Sequence, residues 1–144
     1  MLVSGHSKEL YEFLLQEQGQ TIDPGESIPY CIGYIHNNKI VAVAMFENYS
    51  GTNIWMHFSV DMPIRKWILA ILHHAFVTLD CKIASTFISD NNTKIIKLME
   101  VVGASHEYTL VNGRIGGNSL LYVLRKDTGI HARLSSKLKD FKYD

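Results

Sequence analysis

Three side chains near the middle of the sequence could carry acid–base chemistry. His57 and Ser59 alternate with apolar residues in the stretch IWMHFSVD, and Glu47 ends the apolar run before it. Imidazole titrates near neutral pH, so His57 is a candidate general base and Glu47 is the second candidate. Ser59 is a candidate hydrogen-bond donor. The competing interpretation is that His57 is a half-exposed strand residue without a chemical role.

A second group of candidates follows in the stretch DMPIRKW. Pro63 suits the first turn of a helix, and Arg65 and Lys66 would lie in that turn. The free N–H groups of a helix N-terminus attract anions, so the turn could receive a phosphate group beside these two cations. A solvated first turn without a ligand is the competing interpretation.

Three polar residues, Asp90, Asn91 and Asn92, precede the next helical run in the stretch FISDNNTKIIKLMEVVGA. Each is among the best residues for an N-cap, and a helix needs one. Two of these three polar side chains are therefore not needed as caps. Asn92 therefore has two interpretations, a helix cap or a residue that faces a ligand.

Metal and disulfide chemistry are not indicated. His73 and His74 are adjacent, whereas metal-binding histidines on a helix need a spacing of three or four residues. Cys31 and Cys81 lie far apart in apolar surroundings, as buried free thiols of a reducing compartment do. We expect no metal.

Composition narrows the class of protein. The 144 residues fit one domain, 47% are hydrophobic, 19% are charged, and the formal net charge is zero. A neutral chain lacks the basic footprint of a nucleic-acid-binding protein. The longest apolar run, residues 40–46, is too short to span a bilayer, and no signal peptide is recognisable. We therefore expect a cytoplasmic domain without a membrane or nucleic-acid partner.

Periodicity predicts the elements that must position the candidate residues. They are a helix after Ser7, the hairpin YCIGYIH–NN–KIVAVAMFEN, the strand IWMHFSVD, a helix from Pro63 to Leu79, the strand CKIASTFIS, a helix ending at Gly103, and a hairpin of SHEYTLVNG with SLLYVLRK. The order is α–β–β–β–α–β–α–β–β. Strand, helix, strand implies a right-handed crossover between parallel strands, and the hairpins are antiparallel. The predicted fold class is α/β (α+β), with a mixed, mostly antiparallel sheet flanked by helices.

The predicted domain covers residues 1–126, and residues 127–144 form a basic C-terminal tail. Leu134, Leu138 and Phe141 follow helical spacing there. A short amphipathic basic helix could dock on its own domain, form a homo-oligomer contact, or bind another partner. We expect one of the first two.

The order and lengths of these elements resemble the GCN5-related N-acetyltransferase (GNAT) fold, up to about Lys126. The family often carries N-x-x-A-x-x-L-Y-E-K-L-G-F after its fifth strand. Here Asn92 stands eleven residues before Gly103, with apolar residues at the matching positions between them. WMHF and IRKW are similar to a phage-encoded branch, which has an H-M-H-like fourth strand and an Arg at the start of the next helix.

The resemblance implies acetyl-CoA as co-substrate and a small-molecule or protein amine as acceptor. It places the backbone from Phe58 to Val60 and the Asn92 side chain against the pantetheine arm, and Arg65 and Lys66 at the pyrophosphate. His57, or else Glu47, would be the general base. Ser59 would donate to the developing thiolate.

Two departures from the family pattern favour an alternative function. DMPIRKW lacks the glycines whose N–H groups hold the pyrophosphate, and Met99 stands where the family has a tyrosine general acid. Tyr108, Tyr122 or a water would then have to act as the acid. The alternative is a catalytically inactive binding or structural module of the GNAT fold, of phage origin.

Overall fold

A computed structural model describes residues 1–130 and 132–143. The strands are β1 (Leu2–Gly5), β2 (Tyr30–His36), β3 (Lys39–Glu47), β4 (Asn53–Val60), β5 (Ile83–Ser89), β6 (Ser105–Arg114) and β7 (Gly117–Arg125), and the helices are α1 (Lys8–Glu17), α2 (Arg65–His73), α3 (Thr93–Val102) and α4 (Ala132–Leu138). A π-helical turn, His74–Thr78, continues α2. None of the helices in this described part has the length and apolar character needed to cross a membrane.

The seven strands form one sheet in the order β1-β2-β3-β4-β5-β7-β6. Neighbouring strands are antiparallel except β4 and β5, which are parallel because α2 crosses between them. The predicted fold class is confirmed, as is the order of elements from α1 to β7. The structure adds β1 before α1, a strand of four residues that the periodicity did not indicate.

Each face of the sheet carries its own core. Helix α1 covers one face at β2 and β3, where Leu10 and Leu14 pack with Val43. Helices α2, α3 and α4 cover the opposite face and enclose the larger core around Trp67 and Phe76. This division places alternate residues of β4 and β5 on opposite sides of the molecule.

The crossover helix differs from its predicted limits. It begins at Arg65, with Ile64 as an extended N-cap at φ −121°, so Pro63 precedes the helix instead of lying in its first turn. The last part of the predicted helix is the π-helical turn. Trp67 anchors the helix because its Nε1–H donates to the carbonyl of Ile32 at 2.9 Å in the core.

The C-terminal segment packs on its own chain. Leu138 is buried in the larger core, and Leu134 and Phe141 pack against the same core. Burial of these apolar residues holds α4 beside α2. The boundary at residues 126 and 127 and the homo-oligomer contact remain predictions.

Candidate active site

Strands β4 and β5 separate part-way along their length and leave a cleft between them. Their ladder pairs Asn53 with Ile83 and ends at Trp55 with Ser85. Beyond that pair, residues 57–60 of β4 with the adjoining Asp61, and residues 86–89 of β5, line opposite sides of a cleft of about 370 Å³. The end of α1 and the start of α3 close it. Its volume lies in the range of ligand sites, about 300–1,000 Å³.

The register between β3 and β4 decides which backbone groups face the cleft. Asp61 N–H donates to Val41 O at 2.8 Å. Hydrogen-bonded and non-hydrogen-bonded pairs alternate along an antiparallel ladder. Val60 and Phe58 lie one and three residues before Asp61 in this ladder, so they belong to the second kind. Their N–H and C=O groups point away from β3 and toward the cleft.

The two predicted bases, His57 and Glu47, form one pair. His57 Nε2 lies 2.5 Å from Glu47 Oε1, and both side chains are partly exposed. A carboxylate can only accept, so Nε2 carries the proton of this bond and Nδ1 of the neutral ring keeps its lone pair. Glu47 is thereby placed to orient the imidazole rather than to replace it. His57 also lines the cleft.

Two buried hydroxyl groups line the cleft. Ser59 is 5% exposed and Thr86 is 1% exposed. Neither Ser59 Oγ nor Thr86 Oγ1 has a hydrogen-bond partner within residues 1–130 and 132–143. Sequence reasoning selected Ser59 and missed Thr86. A threonine inside the apolar strand CKIASTFIS was the available signal, because a buried hydroxyl requires a partner.

Asn92 caps α3, and Asp90 has a different role. The N–H of Ile95 donates to Asn92 Oδ1 at 3.3 Å. Asp90 accepts from Arg114 at 2.5 Å and 3.0 Å and from the N–H of Asn118 at 3.2 Å. The Arg114 hydrogen bond is the first cause of the lowered pKa of Asp90, and it ties the β6–β7 hairpin to the start of α3. Asn92 is exposed and lines the cleft.

Arg65 and Lys66 lie outside the lining of the cleft, in the first turn of α2. That turn contains no acidic residue, and no side chain caps it. Arg65 instead lines a separate groove with Ile68 and Val101, next to α4. The structure thus does not bring the two predicted phosphate contacts together with His57.

The loop after α1 is tied back to that helix. Tyr11 donates to Glu26 Oε1 at 2.6 Å, and the N–H of Asp23 donates to the other carboxylate oxygen at 3.0 Å. The hydrogen bond to Glu26, followed by burial and the negative charges of Glu26 and Glu47, raises the pKa of Tyr11 to about 12. Tyr11 therefore stays protonated at neutral pH.

Met99 is a core residue, 4% exposed. It lines a small pocket of about 20 Å³ together with Thr86. The two alternative acids lie elsewhere: Tyr108 is 57% exposed on β6, and Tyr122 is buried on β7, stacked on His106 at 5.4 Å. Neither tyrosine lines the cleft.

Both cysteines are buried free thiols, and burial raises the pKa of Cys31 to about 11. Burial is also the first cause of the raised pKa of Cys81. Across the residues that the structure describes, no three His, Cys, Asp or Glu side chains are grouped to hold a metal ion.

The fold is similar to those of solved acetyltransferases. A variant of spermidine N-acetyltransferase from Vibrio cholerae superimposes with a TM-score of 0.66 at 14% identity, over 96% of each chain. A GNAT-family acetyltransferase from Bacillus anthracis gives 0.55 at 15% identity. Ard1 from Thermoplasma volcanium gives 0.52 at 18% identity, over 66% of this chain and 69% of that chain.

The fold is that of the GNAT acetyltransferases. The likeness to the Bacillus anthracis structure covers 67% of this chain and 64% of the other, so the chain spans less than two-thirds of that relative. No protein-family model and no curated protein sequence matches the chain. At these identities the GNAT likeness establishes the fold, and the activity has to be argued from the site.

Proposed function

We propose that the chain is an acetyl-CoA-dependent N-acetyltransferase. The observation that carries the proposal is the cleft at the fork of β4 and β5. It combines backbone groups of Phe58 and Val60 with the buried hydroxyls of Ser59 and Thr86. Buried polar groups in native proteins have partners. An amide-rich thioester fits this lining, because it offers both donors and acceptors along an extended arm.

The chain's own residues would act on an amine acceptor as follows. Acetyl-CoA supplies the acetyl group as a thioester. His57 Nδ1 takes the proton that the amine loses when it attacks, and Glu47 stabilises the imidazolium that forms. Ser59 donates to the departing sulfur. Positioning in the cleft supplies most of the acceleration, since acyl transfer to a neutral amine asks little covalent chemistry of the protein.

The predicted cofactor contacts at the helix starts belong to this proposal. Asn92 uses Oδ1 for its cap, so its Nδ2–H groups are the part that would bind the pantetheine arm. Arg65 and Lys66 would bind the pyrophosphate at the start of α2, where exposed N–H groups and positive charge favour an anion.

The acceptor is proposed to be a primary amine, either a small molecule or a protein amine. The Vibrio cholerae neighbour is named for spermidine, so polyamines are the first acceptors to test here. Membership of the phage-encoded branch, suggested by WMHF and IRKW, and a cytoplasmic location also belong to the proposal.

Thermal unfolding with millimolar acetyl-CoA and CoA tests the cofactor. Ligand at a hundredfold excess over Kd stabilises by about 2.7 kcal/mol. Arg65→Ala should shrink the shift, and Lys8→Ala, at the distant start of α1, should not. No shift in the unchanged protein would reject acetyl-CoA binding.

Turnover is measured as the release of CoA from acetyl-CoA in the presence of each candidate acceptor: polyamines, aminoglycosides, amino acids and peptide N-termini. His57→Ala should keep the thermal shift and lose turnover, while His36→Ala, in the exposed β2–β3 hairpin, should keep both. A shift without turnover across the whole panel would leave the non-catalytic binding module as the better description.

A further inference from the structure

Thr86 lies at the fork, the point where β4 and β5 separate. It is the first residue of β5 beyond the last pair with β4, Trp55 with Ser85. Its side chain is 1% exposed, and Oγ1 has no hydrogen-bond partner within the described residues. An unpaired buried hydroxyl carries an uncompensated desolvation cost, so its retention at this point needs an explanation.

A trapped water does not supply that explanation. The small pocket beside Thr86 has a volume of about 20 Å³, enough for a single water. A buried water needs two to four polar partners. Among the side chains that line this pocket, only those of Thr86 and Tyr122 are polar. Two partners are the lower limit for a water, and the ten other lining side chains are apolar, so this pocket disfavours a water as the partner of Oγ1.

The position of Thr86 connects two features of the site. The residue lines the cleft together with Ser59, and it lines the small pocket together with Met99. Met99 stands where the resemblance expects a tyrosine acid, and a thioether cannot donate a proton. Among the residues that line this pocket with Met99, Thr86 has a buried hydroxyl without a partner within the described residues.

We propose that the Thr86 hydroxyl donates a second hydrogen bond, beside the one assigned to Ser59, to the sulfur that leaves in acyl transfer, an inference that rests on the proposed function. In this step the amine nitrogen bonds the carbonyl carbon, the carbon–sulfur bond breaks, and its electron pair stays on sulfur. The amine proton goes to His57. Thr86 keeps its own proton and stabilises the thiolate, which takes a proton from solvent afterwards.

The test measures binding and needs no acceptor. Affinities for CoA and for desulfo-CoA are measured by calorimetry from pH 7 to pH 10. A hydrogen bond to the thiolate lowers the pKa of the bound CoA thiol. As the pH rises, the affinity for CoA should therefore increase about tenfold relative to the affinity for desulfo-CoA. Thr86→Val should reduce this gain, since only Ser59 is left as a donor, and should keep its affinity for desulfo-CoA.

Matched variants distinguish a hydrogen bond donated by Thr86 from an effect of its packing. Thr86→Ser should retain the pH-dependent gain and Thr86→Ala should reduce it, because these two variants differ in the hydroxyl alone. Ser85→Ala removes a buried hydroxyl bonded to Asn53 at 2.8 Å on the opposite face of β5, and should retain the gain. With an accepted amine, Thr86→Val should lower kcat about a hundredfold and leave KM for acetyl-CoA unchanged.

Two results would overturn the inference: an unchanged pH dependence in Thr86→Val and Thr86→Ala, or no gain for CoA in the unchanged protein that binds it. A protein that binds neither CoA nor acetyl-CoA would instead contradict the proposed function. The outcomes for the residue and for the activity are therefore distinguishable.

Discussion

His74 should make the stability of this protein fall in mildly acidic solution. Its imidazole is buried at the start of the π-helical turn, stacked on Tyr30 at 4.4 Å and in edge contact with Phe46 at 4.7 Å. Burial, followed by the neighbouring charge of His73, lowers the pKa of His74 from 6.5 to about 4. The folded protein therefore holds the ring neutral where the unfolded chain protonates it.

The size of the effect follows from the two pKa values. Above about pH 6.5 His74 is neutral in both states, and its contribution to the free energy of unfolding is constant. Between pH 6.5 and pH 4 only the unfolded state binds the proton, so stability falls by about 1.4 kcal/mol for each pH unit. Below pH 4 the loss levels off at about 3 kcal/mol.

We propose to measure this loss of stability by urea unfolding, from pH 7.5 to pH 4.5, of the unchanged protein and of His74→Phe. Phenylalanine retains the ring contacts with Tyr30 and Phe46 but cannot titrate. By pH 4.5 the unchanged protein should have lost about 2.5 kcal/mol more than the variant. His36→Phe, at an exposed hairpin, is the control and should follow the unchanged protein. Equal pH slopes for His74→Phe and the unchanged protein would show that His74 is not the group whose protonation lowers stability.

Further predictions concern a cap, a core hydrogen bond and the thiols. Asn92→Ala should lower the free energy of unfolding by about 1 kcal/mol, whereas Asn91→Ala, at an exposed non-cap position, should change it little in the same urea titration. Trp67→Phe removes a buried hydrogen bond to a carbonyl of β2 and should cost about 1 kcal/mol, measured by thermal unfolding. Cys31 and Cys81 should react slowly with a thiol reagent in the folded protein and fast in urea, since burial raises the pKa of both thiols; fast reaction without urea would contradict their burial.

Local chemistry made much of the fold predictable. Ser7 caps α1 through the N–H of Leu10, as its position before a helical run indicates. Asn37 and Asn38 both adopt positive φ in the hairpin turn, and Gly103 ends α3 at φ 93°. Each of these features depends on residues within a few positions of one another, so the sequence contains the whole cause.

Elements that depend on a distant partner were not predictable in the same way. Strand β1 has four residues, and its backbone is satisfied by β2, some thirty positions away. The start of α2 was predicted two residues early, because Pro63 is compatible with a first turn but Ile64 adopts the extended conformation of a cap. The local sequence is compatible with a helix start at either position, and with residues 2–5 either paired or unpaired.

The candidate site shows the same division. The sequence by itself determined which side chains could do chemistry: His57, Glu47 and Ser59 were recognisable by type. Only the tertiary structure decided that His57 and Glu47 are one pair rather than alternatives, since the register of β3 against β4 brings them together. It also decided that Thr86 lies buried at the fork without a partner, because the place where β4 and β5 part is a property of the sheet.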